Sequence, residues 1–68
     1  MPSPNLHKRL KLEYLNSLSG SDLAYWLIAN FDNPAEPVQE ASEMLKIKAG
    51  TFGIRILYRL SQRHGERA

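Results

Sequence analysis

The sequence EASEMLKIKAGTFGIRILYR, residues 40–59, decides the fold of this chain. Apolar residues recur at helical spacing on both sides of a short segment that ends in Gly50. That segment carries one bulky apolar residue, Ile47, which we expect to be buried in a turn. The stretch and its flanks predict three elements: a helix over about residues 37–46, a turn over 46–50 and a helix over 51–63, which His64-Gly65 closes.

The last of these helices is apolar on two sides. Its expected core side is a line of three residues: Phe52, Ile56 and Leu60. A second apolar group lies on a different side: Ile54, Leu57 and Tyr58. Between the two groups runs a basic stripe at positions i, i+4 and i+8: Arg55, Arg59 and Arg63. A domain this small can rarely cover a helix on both apolar sides, so the second group is either core or a surface for a partner.

Two further helices are predicted upstream, over about residues 4–17 and 22–31, with Ser3 and then Ser19 or Ser21 as caps. In the first, an apolar stripe recurs every fourth residue and is expected to face the core: Leu6, Leu10, Tyr14 and Leu18, with Leu15 beside them. In the second, apolar residues cover most of the circumference, as is typical of a central helix: Leu23, Trp26, Leu27, Ile28 and Phe31. The predicted fold class is all-α, a single four-helix domain over residues 1–68 with a C-terminal helix-turn-helix.

Composition narrows the function classes. The chain has 68 residues and no cysteine, which excludes disulfides and thiolate metal sites. His7 and His64 have no paired ligands at metal-binding spacing, so we expect surface histidines, no metal and no cofactor. No nucleophile–base–acid set or Gly-rich phosphate loop is present, and we expect no enzyme activity. The N-terminus lacks the order of a signal peptide and no apolar run could cross a bilayer, so a cytoplasmic protein is expected.

Charge is distributed unevenly along the chain. The formal net charge is only +2, yet residues 20–45 contain five acidic and no basic residues, whereas residues 46–68 contain six basic residues and one acidic residue. This asymmetry indicates a basic C-terminal surface. The arginine stripe on it would contact phosphates or an acidic protein, or would simply balance acids on a neighbouring helix.

A resemblance to a known family adds to this pattern. The elements EASEML, Ile47, AGTF at residues 49–52 and Arg55-Ile56 resemble the helix-turn-helix of bacterial sigma factor region four, over about twenty of the 68 residues. The resemblance implies a DNA-binding regulator whose last helix enters a major groove, with a homodimer expected because one helix contacts few base pairs. The residues that would then contact DNA are Lys46, Lys48, Thr51, Arg55, Arg59 and Arg63.

Two features depart from that family. Lys46 stands at the turn position usually filled by glycine and would need a left-handed backbone. The outer positions of the last helix, where family members carry polar or basic residues, are instead occupied by Gly53, Ile54, Leu57, Tyr58 and Leu60. Such residues lack the donors and acceptors that distinguish base edges.

These departures favour a second hypothesis, in which the chain binds another transcriptional regulator protein. In size and in its apolar last helix it is similar to helix-turn-helix variants that act as antiactivators in proteobacterial conjugative elements. The partner-binding residues would then be Phe52, Ile54, Leu57 and Tyr58, with Arg55 and Arg59 as a polar rim. Duplex DNA remains the alternative ligand.

Overall fold

The computed structural model describes residues 4–67, and the side chains of residues 6–63. This part of the chain is all-helical and has three helices: α1 (Pro4–Ser17), α2 (Gly20–Asn30) and α3 (Val38–Arg67). The all-α class is confirmed, but the four separate helices are not, because the two expected C-terminal helices form one helical element. The predicted cap at Ser3 and the side chain of His64 lie outside the described residues.

Local signals place the first two helices. α1 begins at Pro4, whose missing N–H costs nothing at a first helical position, and it ends at Ser17 as predicted. Ser19 caps α2, its hydroxyl accepting a hydrogen bond from the backbone N–H of Asp22 at 3.1 Å. After α2, the side-chain oxygen of Asn33 accepts from the backbone N–H of Ala35 at 3.0 Å. The turn after α2 is therefore closed by an Asn side chain that accepts a hydrogen bond from the backbone.

α3 is interrupted at one residue. Gly50 has φ 55° and ψ −129°, a conformation that only glycine adopts readily. The break comes later than predicted, because residues 46–49 include lysines and an alanine, which favour helix and delay the break until the glycine. Lys46 therefore keeps helical backbone, and the prediction of a left-handed Lys46 was wrong. Ile47 stays on the helix with 86% of its surface exposed, so its predicted burial was also wrong.

The two segments of α3, residues 38–49 and 51–67, pack against each other. A Cβ placed on Gly53 would lie 2.7 Å from the carbonyl oxygen of Leu45. In a straight helix, residues eight positions apart are separated by about 12 Å along the axis. The break at Gly50 therefore turns the chain sharply, and the absence of a side chain at Gly53 permits the close contact. The second segment continues past Gly65 to Arg67, beyond the predicted end, because a glycine inside a helix costs only about 1 kcal/mol.

The core is small and is shared by all three helices. It consists of seven buried residues: Leu15, Leu23, Ala24, Leu27, Ala41, Leu45 and Leu60. Around it pack half-buried side chains, among them Trp26, Phe31, Ile56 and Leu57. Leu23, Leu27 and Leu60 confirm their predicted core positions, whereas Phe52 is 59% exposed and its core assignment was wrong.

The thinness of the molecule explains its exposed apolar residues. Its Cα extents are 40 × 28 × 14 Å, and the shortest corresponds to two layers of helix. Each helix therefore keeps one face in solvent. On α2 that face carries Tyr25 and Ile28, so α2 is less enclosed than its composition predicted. On α1 it carries most of the predicted core stripe, since Leu6, Leu10 and Tyr14 are 38%, 56% and 54% exposed.

Candidate interaction face on the C-terminal segment of α3

The C-terminal segment of α3 presents a continuous mixed face to solvent. We call it the outer face, and it consists of Ile54, Arg55, Tyr58, Arg59, Gln62 and Arg63, which line an open concavity of about 730 Å³. Ile54 and Tyr58 are 54% and 63% exposed, which identifies them as surface residues. The Tyr58 hydroxyl accepts a hydrogen bond from the Gln62 amide at 3.1 Å, which orients the ring along the helix. Gln62 was missed from the sequence, although it lies one turn beyond Tyr58.

The two other proposed anchors do not belong to the outer face. Leu57 is half-buried against the core and lines a groove between the two segments of α3, together with Phe31 and Val38. Phe52 is exposed, but at 100° per residue it lies about 160° around the helix from Ile54, and it does not line the concavity. The apolar group predicted as Ile54, Leu57 and Tyr58 is therefore divided into two surface residues and one packing residue. Thr51, the predicted base contact, is exposed at the start of the segment.

The arginines of the outer face have no acidic partner among the described side chains. All ion pairs in that part of the chain are made by lysines: Lys8–Glu40, Lys11–Glu36 and Lys46–Glu43. The acids in the first turns of α3 and just before it are thus paired with lysines of α1 or of α3 itself. The arginine stripe does not balance acids on a neighbouring helix, and its three charges remain available to a ligand.

Lys48, a predicted DNA contact, instead caps the C-terminal end of α1. Its ammonium group donates to the carbonyl oxygens of Asn16 at 2.5 Å and Leu18 at 2.8 Å, at the C-terminal end of α1. Carbonyls at a helix end lack partners within the helix and attract a positive charge. Lys46 is likewise engaged, at 3.1 Å from Glu43. These lysines therefore stabilise the fold, and neither extends the arginine stripe.

Replacing Lys48 with methionine should reduce the free energy of unfolding by about 1 kcal/mol, because it leaves two carbonyls at the end of α1 without their charged donor. Lys46→Met is the matched control. It removes one exposed ion pair within a single helix and should change stability by less than about 0.5 kcal/mol. Urea denaturation followed by circular dichroism would measure both. Equal effects of the two substitutions would show that the cap contributes nothing.

The contact between Lys8 and Glu40 joins α1 to the start of α3. The Lys8 Nζ lies 2.6 Å from Glu40 Oε2. The hydrogen bond from Lys8, helped by one to the backbone of Glu40, lowers the pKa of this carboxyl below its usual value. A lowered pKa in the folded state gives stability that is present above the unfolded pKa and is lost as the pH falls through the folded pKa.

We therefore expect the stability difference between the wild type and Lys8→Met to shrink as the pH falls from about 6 to about 3. The effect should be small because the pair is exposed, and added salt should reduce it further. Thermal unfolding at a series of pH values would measure it. A difference that grows toward acid would contradict the assigned role of Glu40.

Two other kinds of feature are absent from the described residues. Within the described residues, no group of three or more His, Cys, Asp and Glu side chains could hold a metal ion. No helix in the same part of the chain is long and apolar enough to span a membrane. Comparisons with protein-family models, curated proteins and solved structures each found no match. The resemblance to sigma factor region four therefore rests on the residues quoted above, and the outer face is the best-defined candidate site.

Proposed function

We propose that this chain is a small bacterial transcriptional regulator of helix-turn-helix type that acts by binding another regulatory protein through the outer face of α3. The observation that carries the proposal is the exposure of Ile54 and Tyr58 beside three arginines that have no acidic partner among the described side chains. In the proposed helix-turn-helix, residues 38–49 form the supporting helix, Gly50 the turn and residues 51–67 the helix that meets the ligand. The tight contact at Gly53 supports this arrangement.

The composition of the outer face supports a protein as the ligand. Tyrosine and arginine are enriched among residues that dominate binding energy at protein interfaces. Ile54 adds an aliphatic anchor one turn before Tyr58, at the spacing with which a helix docks into an apolar groove. The partner surface would be a groove with acidic residues on its rim, because the outer face carries three positive charges and no negative one.

Duplex DNA is the alternative ligand, and the arginine stripe is the observation in its favour. The described contacts weaken this alternative in two ways. Lys46 and Lys48, two of the expected phosphate contacts, already pair with groups of this chain. Ile54 and Tyr58 occupy positions from which a groove-binding helix would contact bases, and isoleucine has no donor or acceptor to offer there.

The test is capture of partner proteins by the wild type and by the double variant Ile54→Asp/Tyr58→Asp, followed by titration with the purified partner. We expect the double variant to lose binding while keeping its circular dichroism spectrum, because both residues are exposed. Tyr25→Asp is the matched control, since Tyr25 is 72% exposed on α2, and it should bind as the wild type does. A partner bound equally well by the double variant would overturn the proposal.

A further inference from the structure

The outward stripe on α1 is a second apolar surface, separate from the outer face of α3. The buried residue of α1 is Leu15, and its half-buried residues next to α3 include Lys11. Leu6, Leu10 and Tyr14 lie on the opposite side of the helix, one turn apart, and Leu10 and Tyr14 are each more than half exposed. An amphipathic helix normally buries such a stripe in its own domain. Here the other side of α1 faces α3, to which Lys8 forms a salt bridge, and the segment just before α3, to which Lys11 forms one.

We propose that this stripe is a homodimer seam, in which α1 packs antiparallel against α1 of a second copy with Leu10 at the two-fold axis. The stripe is a row of residues at i, i+4 and i+8, the kind of ridge that interdigitates in the commonest class of helix packing. A two-fold axis at Leu10 places Leu6 of one copy against Tyr14 of the other, so each of these leucines packs against the larger tyrosine. The same patch serves both copies, as a two-fold interface requires.

Charge complementarity selects a second copy as the occupant. Arg9 and Glu13 are exposed on the same edge of the stripe, and neither forms an ion pair within the described part of the chain. An antiparallel two-fold brings Glu13 of one copy to about 3 Å along the helix axis from Arg9 of the other. Two symmetric ion pairs would therefore flank the apolar contacts. The face carries no net charge, unlike the outer face, so it does not select a strongly acidic or basic partner.

The proposed dimer interface is small. α1 has 14 residues, and two such helices bury less than the ~1,200 Å² of a standard stable interface. We therefore expect a concentration-dependent equilibrium between monomer and dimer, with the outer face of α3 left free in both forms. The inference is independent of the proposed function, because the two surfaces share no residue.

The experiment is sedimentation equilibrium of the full chain from about 1 µM to about 500 µM, a range that spans weak association. The wild type should show reversible dimerisation. Leu10→Glu should raise the dimer Kd by at least ~100-fold, because it places two like charges at the axis and removes two buried leucines. Tyr25→Glu, an exposed aromatic residue on α2, is the matched control and should leave the Kd unchanged. A wild type that stays monomeric, or a Leu10→Glu variant that still dimerises, would overturn the proposal.

A charge swap tests the antiparallel arrangement without touching the apolar stripe. Arg9→Glu and Glu13→Arg should each raise the Kd about tenfold, since each places like charges together in both symmetric pairs. The double variant Arg9→Glu/Glu13→Arg should restore the wild-type Kd. Circular dichroism would verify that each variant remains helical. Weak association in the double variant, equal to that of the single variants, would contradict the proposed pairing.

Discussion

Replacing Gly53 with leucine should lower the free energy of unfolding by about 3 kcal/mol. A Cβ at this position would lie 2.7 Å from the Leu45 carbonyl oxygen and 3.0 Å from the Leu45 side chain. Backbone cannot yield as a flexible side chain can, so the two segments of α3 would have to separate. A domain of this size has a total stability on the order of 3–10 kcal/mol, so the loss would remove a large share of it.

The sign of this effect distinguishes packing from helix propensity. Leucine favours a helix over glycine by about 1 kcal/mol, so propensity alone would make the variant more stable. Gln62→Leu is the matched control, because Gln62 is exposed on the same segment and should change stability by less than about 0.5 kcal/mol. Denaturation curves for the two variants would decide. A stabilised Gly53→Leu would show that the segments of α3 do not pack as closely as described.

Replacing Leu57 with aspartate should cost about 2–3 kcal/mol, whereas Ile54→Asp should cost less than about 0.5 kcal/mol. Both change a branched aliphatic residue to the same charged residue, three positions apart in one helix. Leu57 is half-buried against the core, so its replacement buries a charge, whereas Ile54 is 54% exposed. Thermal unfolding of the two variants, compared with binding by the folded one, would separate the roles of the two residues.

The Ile54→Asp variant tests the proposed binding role of the outer face. The variant should fold as the wild type does and lose its protein partner. If it unfolds instead, Ile54 contributes to the core and the outer face is smaller than proposed. If Leu57→Asp is as stable as the wild type, Leu57 is a surface residue. Ile54, Leu57 and Tyr58 would then form one exposed apolar group, as the sequence predicts.

Helix ends that depend on neighbouring residues could be predicted from the sequence. The bounds of α1 are predictable because Pro4 favours a first helical position and the Ser-Gly pair at residues 19–20 ends the helical pattern. The cap at Ser19 was also foreseen, although only as one of two candidates. The predicted break in α3 comes too early, because the whole segment of residues 46–50 was interpreted as a turn. The lysines and the alanine of residues 46–49 favour helix, so the helix continues to Gly50.

Contacts between distant residues could not be predicted in the same way. Periodicity identified the stripe of Leu6, Leu10 and Tyr14, but it does not say which side of a helix the rest of the chain covers. That choice depends on contacts with residues far along the chain, such as the packing of Leu15 in the shared core and the pairing of Lys8 with Glu40, 32 positions away. The cap formed by Lys48 also joins residues about 30 positions apart, and no local pattern indicates it. For the candidate site, the sequence identified the arginines and Tyr58, whereas the exposure of Ile54 and the burial of Leu57 required the packed structure.

The most direct test of a protein-binding outer face is a fluorescence titration of a labelled random duplex DNA at low salt. We predict no saturable binding up to about 100 µM protein, weaker than the usual range for non-specific DNA binding. Binding that weakens steeply with added salt, and that disappears in Arg55→Ala/Arg59→Ala but persists in Ile54→Asp, would contradict the proposal. It would show that the last segment of α3 contacts DNA through its arginines.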